Sequence, residues 1–249
     1  MTEIDFEIIG KGNIIVKCTD PSNQKITSNK EIIEKIWSEE CKRKNYKIFN
    51  SDVLSFVGIH SENTDIVVDT KFTEYKNVLA SRKKPELQLN IKPVGVSGII
   101  VVEDNAKRFV LFSTRSNNVT EYPGHIELVP SGNIDKSVFL PDGTIDYILK
   151  LKEEFHEETG LSSDHIKKVK SICFVYDKKN QVFDVGCLII LHLNKTELIQ
   201  NFIQVNEYEN PEFVPIENLN NFMKINKKNI IPTSLALLKC FLESNYYYL

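Results

Sequence analysis

No apolar run in this chain approaches the ~20 residues that span a bilayer, so a membrane-spanning protein is not expected. Neither charge sign dominates: 31 basic against 34 acidic residues leave a formal net charge of −3. That balance gives no general pull toward a nucleic acid polymer or an anionic membrane. The acidic start, MTEIDFEIIGKG, lacks a signal-peptide pattern, and a cytoplasmic location is expected. The five cysteines (Cys18, Cys41, Cys173, Cys187 and Cys240) show no C-x-x-C spacing. Zinc and redox readings are thereby poorly supported, and reduced thiols used mostly for packing are expected. There is no internal repeat and no low-complexity tract. No Gly-, Ser- or Pro-rich linker divides the chain, although 249 residues allow one large domain or a domain with an extension.

What is present is a succession of β-branched runs and amphipathic stretches. Residues 4–9 and 13–18 read as two strands with Gly10 and Gly12 between them, a hairpin pattern. Ser28 to Glu31 fits a capping box, and Ile32, Ile33, Ile36, Trp37 and Cys41 then recur at helical spacing, predicting a helix over 29–44. Runs at 53–59 and 64–70 predict a second hairpin, followed by a short helix in KFTEYKNVLASRKK. From Val94 onward, strands in GVSGIIVVED and KRFVLFSTRS precede a loop and an acidic helix. The long strands VKSICFVYD and QVFDVGCLIILHL follow, then a short helix over 195–203 and a final helix opened by Pro232. This order predicts an α/β protein, a mixed sheet between helices. The expected domains are an N-terminal α+β extension over 1–90, packed on a main domain over 91–249.

The chain is organised around Leu128 to Leu161, LVPSG followed after an interruption by KLKEEFHEETGL. A helix turns about 100° per residue, so Glu154, Glu157 and Glu158 share one face. Leu151, Ile148 and Phe155 fall on a neighbouring face able to bury, and Gly160 supplies a left-handed helix end. Three carboxylates so close repel one another unless a cation joins them. A hard cation such as Mg²⁺ or Mn²⁺ suits oxygen ligands of this kind. A solvated acidic face is the alternative reading.

The order LVPSG…EEFHEETGL resembles the Nudix box, G-x5-E-x7-R-E-U-x-E-E-x-G-U, where U is aliphatic. Gly132 matches the first glycine, Glu154 the glutamate after the arginine, Glu157 and Glu158 the glutamate pair, and Gly160 the last glycine. The resemblance implies the Nudix α/β/α sandwich and divalent metals held by Glu154, Glu157 and Glu158 with the carbonyl of Ser131. Two departures stand out: Glu153 occupies the arginine position, and Ile145 the first glutamate position. Ser137 to Gly143 reads as an insertion, and Asp142 or Asp146 is the candidate to replace the missing carboxylate. The segments IIEKIWSEECKRKNYKIFNSDVLSFVGI, FTEYKNVLASR and RSNNVTEYPGHIELVPSG are similar to the Nudix subfamily that hydrolyses UDP-glucose and UDP-galactose.

The implied activity is metal-dependent cleavage of a nucleoside diphosphate sugar to nucleoside monophosphate and sugar 1-phosphate. Another pyrophosphate (ADP-ribose, a dinucleotide, coenzyme A) and a non-catalytic nucleotide-binding module are the alternatives. Glu154, Glu157 and Glu158 are the catalytic candidates, with Glu207 and Glu209 as loop carboxylates able to join the metal set or to lie on an acidic surface. Substrate-binding candidates are Arg115 (a bidentate phosphate grip or a surface arginine), Asn117, Tyr122, Gly132, Thr73, Tyr75 and Lys76. Tyr122 packing the Pro123–Gly124 turn, Thr73 as a helix cap and Tyr75 as core are the competing structural readings. The expected partner is a small nucleotide, with the chain a monomer or homodimer.

Overall fold

The structure, a computed structural model, describes residues 5–21, 29–43, 48–201 and 207–244. In chain order the elements are β1 (Phe6–Lys11), β2 (Ile14–Asp20), α1 (Lys30–Arg43), β3 (Asp52–Glu62), β4 (Asp65–Glu74) and α2 (Tyr75–Lys83). There follow β5 (Val94–Asp104), β6 (Lys107–Arg115), β7 (Ile126–Leu128), β8 (Ser131–Asn133), α3 (Tyr147–Thr159), β9 (Ile166–Asp177) and β10 (Val182–Asn194). The chain closes with α4 (Lys195–Asn201), β11 (Tyr208–Pro215), α5 (Leu219–Asn226) and α6 (Pro232–Glu243). The α/β class and the mixed sheet are as the sequence predicts. These elements gather into two compact units, one formed by Met1–Ile14, Gly95–Gly132 and Tyr147–Leu249, the other by Ile15–Val94 and Asn133–Asp146.

The first unit carries an eight-stranded sheet in the order β1-β9-β10-β5-β6-β11, with β7 on β6 and β8 on β5. β5 and β10 are buried in long unbroken runs rather than alternating with exposed positions, so both faces of the sheet centre are covered. α6 supplies one cover: Ala236, Leu237, Cys240 and Phe241 pack with Ile99, Phe112, Ile172, Val175 and Leu188. Burial of such apolar surface, worth roughly 25 cal/mol per Å², is the main force holding helix to sheet. Pro232 opens α6 as expected, since a first-turn proline forfeits no helical hydrogen bond.

The second unit pairs β2-β4-β3 in a small sheet, with α1 and α2 sharing a core of Ile33, Ile36, Leu79 and Ala80. The hairpin expected at 53–59 and 64–70 is present and longer, running from Asp52↔Glu74 to Glu62↔Asp65. The hairpin expected between the first two strands is not formed. β1 pairs instead with β9, from Phe6↔Asp177 to Lys11↔Cys173, while β2 joins β4. Alternation marks a strand but does not name its partner, and here the partner lies far along the chain. The helix expected over 29–44 runs Lys30–Arg43, and α2 begins later than the motif suggested because its first residues complete β4. The capping residue Ser28, and the end of the helix expected over 195–203, lie outside the described residues.

The insertion is ordered within the second unit. Residues Lys136–Val138 form a single 3-10 turn, Phe139 bridges Ile145, and Asp142 accepts from the Thr144 N–H and hydroxyl at 2.9 and 2.6 Å. Asp142 thus closes its own turn rather than standing free as a replacement ligand. Ile145, where the Nudix pattern has its first glutamate, is buried, and its N–H donates to Val16 O at 2.9 Å. An apolar residue suits that position because its surroundings are core.

Candidate active site

α3 is amphipathic for the reason the spacing predicts: Leu151 and Phe155 are fully buried, while Glu157 points to solvent. The helix ends where Gly160 takes φ +73°, a conformation open to glycine at little cost. Its acidic face meets the turn joining β7 and β8. The Ser131 N–H donates to Glu158 Oε2 at 3.1 Å, and the Ser131 and Ser97 hydroxyls share a hydrogen bond at 3.0 Å. The Pro130 carbonyl accepts from the Gly98 N–H at 2.8 Å, tying the turn to β5. At Gly132 a Cβ would fall 2.2 Å from Glu154 Cδ and 2.3 Å from its Oε1. Glycine is therefore what lets the backbone lie against that carboxylate.

The two glutamates facing the turn are strongly perturbed. Burial, with the Glu127 and Glu154 charges added, holds Glu158 well above the usual carboxylate range against the opposing Ser131 N–H. Burial also lifts Glu154 to about 7, opposed by Lys150 and reinforced by Glu157 and Glu207. Glu207 is exposed, adds its charge to both glutamates, and its carbonyl accepts from the Ser116 N–H at 2.8 Å. Glu209 is exposed and sits in β11 opposite Thr114, its carbonyl accepting from the Ser113 hydroxyl.

Three features went unread in the sequence. Lys150, almost wholly buried, places its ammonium 3.0 Å from Glu154 Oε1 and 3.5 Å from Glu153 Oε2. Glu127, buried in β7, receives the Arg115 guanidinium and, at 2.7 Å, the Tyr208 hydroxyl. Asp184 in β10 is buried and lies beside Ser97 and Thr233, and burial pushes its carboxyl up to about 8. A Cβ on Gly95 would come 2.5 Å from Asp184 Oδ1, so β5 carries a glycine there. Each had a signal. A lone charge interrupts an apolar run at Glu127 and Asp184, and Lys150 stands one helical turn before Glu154.

The other candidates are engaged as follows. The Arg115 guanidinium is bound to Glu127 and donates through Nε to Glu121 O at 3.0 Å. The Tyr122 hydroxyl donates to Asp177 at 2.7 Å, and its residue adopts φ +48° in the Pro123–Gly124 turn. Asn117 is exposed in the same loop. In the second unit, Thr73 is buried and accepts from Asn77 at 3.2 Å, and Tyr75 meets Trp37 edge-on at 6.3 Å. Lys76 is held by Glu34 at 2.8 Å and Glu74 at 3.1 Å.

Whether these residues suit a divalent cation can be judged from the donors themselves. Glu158 Oε1 is the buried side-chain oxygen without a hydrogen-bond partner among the described residues. A buried carboxylate oxygen left bare is costly and is relieved by a cation. Glu154, Glu158 and the Ser131–Gly132 backbone offer the hard oxygens that Mg²⁺ or Mn²⁺ take. Yet among the described residues no three acidic, histidine or cysteine side chains are gathered as a metal-binding group. The donor oxygens are of the kind such an ion takes, and the Lys150 ammonium lies against one of them, Glu154 Oε1. An open groove of about 320 Å³, with Glu103, Arg108, Lys167 and His192 in its lining, includes none of the cluster.

No protein-family model matches the chain, and no curated protein matches it. Solved structures similar to it include a C. elegans Ap4A hydrolase in a binary complex, at 17% identity and TM-score 0.42, covering 60% of this chain and 95% of that one. The Nudix domain of Shewanella oneidensis NrtR, complexed with ADP ribose, is similar at 14% identity and TM-score 0.47, covering 65% and 96%. A MutT/Nudix family protein from Listeria innocua is similar at 16% identity and TM-score 0.41, covering 62% and 94%.

Proposed function

We propose that this chain is a divalent-metal-dependent hydrolase that cleaves the pyrophosphate bond of a nucleoside diphosphate derivative, with UDP-glucose or UDP-galactose as the favoured substrate. The observation that carries the reading is Glu158 Oε1, buried and bare, in a carboxylate cluster set against the Ser131–Gly132 turn. Glu154, Glu157 and Glu158, with the Ser131 carbonyl and Glu207, are the groups that would hold Mg²⁺ or Mn²⁺. A cation bound there supplies charge neutralisation on the phosphate oxygens and a more acidic water.

The chain's own residues do the rest. The Ser131 N–H fixes the rotamer of Glu158, and the absent side chain at Gly132 leaves room for Glu154. Arg115 and Tyr208 hold Glu127, whose charge bears on Glu158. Arg115 would reach a phosphate only through the N–H groups these bonds leave over, and exposed Asn117 is a polar group of that loop able to contact a base or sugar. The preference for UDP-sugars rests on the motif likeness alone. With Thr73, Tyr75 and Lys76 bound within their own unit, it has no support from those three side chains.

One observation favours a second reading. The Lys150 ammonium already neutralises Glu154, as a non-catalytic nucleotide-binding module would tolerate. A hydrolysis screen with Mg²⁺ and Mn²⁺ separates the two. It would cover UDP-glucose, UDP-galactose, ADP-ribose, diadenosine polyphosphates, coenzyme A and nucleoside triphosphates, with products identified by chromatography. UMP and sugar 1-phosphate from UDP-sugars support the favoured substrate. Turnover of a different pyrophosphate replaces the substrate and keeps the chemistry. Tight nucleotide binding with no turnover of any compound overturns the hydrolase reading.

A further inference from the structure

Lysine is an odd residue at position 150. It lies in the first turn of α3, where the helix dipole disfavours a cation. It also precedes Glu154 by four residues, the weaker orientation for a helical ion pair. Helix preference therefore does not account for it. Burial makes the oddity sharper. The Lys150 and Glu154 side chains are only 10% and 14% exposed, so this is no solvated surface pair. An ammonium buried this far must be matched by charge, and the structure matches it with Glu154 at 3.0 Å and Glu153 at 3.5 Å. Glu154 Oε1 is also the oxygen that lies against Gly132, at the centre of the proposed metal set. The same oxygen cannot fully serve an ammonium and a divalent ion.

We propose that Lys150 is a tethered cation that competes with the divalent metal for Glu154, so that metal enters the Glu154–Glu157–Glu158 cluster only as the ammonium withdraws. The inference rests on the metal-dependent reading above and adds its control: a weak, displaceable metal site whose resting state is already neutralised. It accounts for two observations together. The buried Lys150 ammonium is set against Glu154 Oε1 at 3.0 Å, and the buried Glu158 Oε1 has no hydrogen-bond partner among the described residues.

The test is calorimetric titration of Mn²⁺ into the full chain, wild type and Lys150→Met. Methionine keeps a long unbranched stem for packing while removing the charge. The expected result is Mn²⁺ binding to Lys150→Met tighter by about tenfold or more, the scale on which groups bearing on a metal ligand alter affinity. Equal, measurable affinities overturn the competition and leave the metal-dependent reading standing. No binding of Mn²⁺ to either protein overturns the metal-dependent reading and the competition with it. If Lys150→Met does not fold, Mg²⁺ titration of ¹⁵N-lysine-labelled wild type decides the matter. The Lys150 ammonium resonance, assigned by its loss in Lys150→Arg, shifts as the site loads; a resonance unmoved at Mg²⁺ saturation overturns the proposal.

Discussion

The backbone N–H of Ser131 points at Glu158, donating to Oε2 at 3.1 Å and leaving Oε1 bare in a buried setting. A turn between two short strands thus orients a carboxylate on a helix that follows it by more than a dozen residues. The first prediction concerns that pair. Glu158→Gln preserves shape and the Ser131 contact but removes the charge. Turnover should fall by roughly a hundredfold or more, on the scale of lost metal-site groups, while thermal stability in the absence of metal holds or rises. Activity assays beside thermal melts check this, and near-wild-type activity would remove Glu158 from the site. Glu157→Gln, at an exposed position, should lose turnover with the melting temperature unchanged.

Gly132 admits no side chain without moving Glu154. Gly132→Ala should keep the fold, since the obstacle is the end of a flexible side chain, and should weaken both metal binding and turnover. Matched circular dichroism spectra with intact Mn²⁺ affinity would show that the close approach is unimportant.

Arg115 and Glu127 are an ion pair with Glu127 buried beneath it. Arg115→Met strands the carboxylate, and removal of one partner of a buried pair costs about 3 kcal/mol or more. Arg115→Met together with Glu127→Gln should recover much of that loss. Denaturant unfolding of the single and double variants reads the coupling. A single variant of unchanged stability would instead leave Arg115 available chiefly for a phosphate.

Asp184 is expected to make stability pH-dependent. Burial raises its folded value from 3.8 to about 8, so the folded state holds a proton that the unfolded chain has released. Its contribution is complete below about pH 4, declines as pH rises, and is gone above about pH 8, amounting to a few kcal/mol. Asp184→Asn removes this titration, and its denaturation midpoint should change much less than the wild type's between pH 5 and pH 9. Parallel pH profiles of the two proteins would assign the effect elsewhere.

The acidic helix, its glycine end and the final proline-capped helix were all legible in the sequence. Each is set by residues within one or two turns, through the 3.6-residue period, the left-handed freedom of Gly160 and the fixed backbone of Pro232. The second hairpin was legible for the same reason, as its strands adjoin across a short turn. What the sequence could not say is which distant segment completes each element. β1 found its partner in β9, not in the neighbouring strand, because pairing is chosen by the assembled core. Arg115 read in the sequence as a phosphate grip or a surface arginine, and only packing brought it the Glu127 carboxylate, which also accepts from the Tyr208 hydroxyl. Thr73, Tyr75 and Lys76 were likewise given partners inside the small unit. Composition and local period determined that this chain carries a carboxylate-bearing helix on an α/β frame. Tertiary packing alone decided that Glu158 is buried and half-satisfied, that Glu154 lies against Gly132, and that the cation beside it is Lys150. Burial and close approach depend on which surfaces meet, and no local rule contains them.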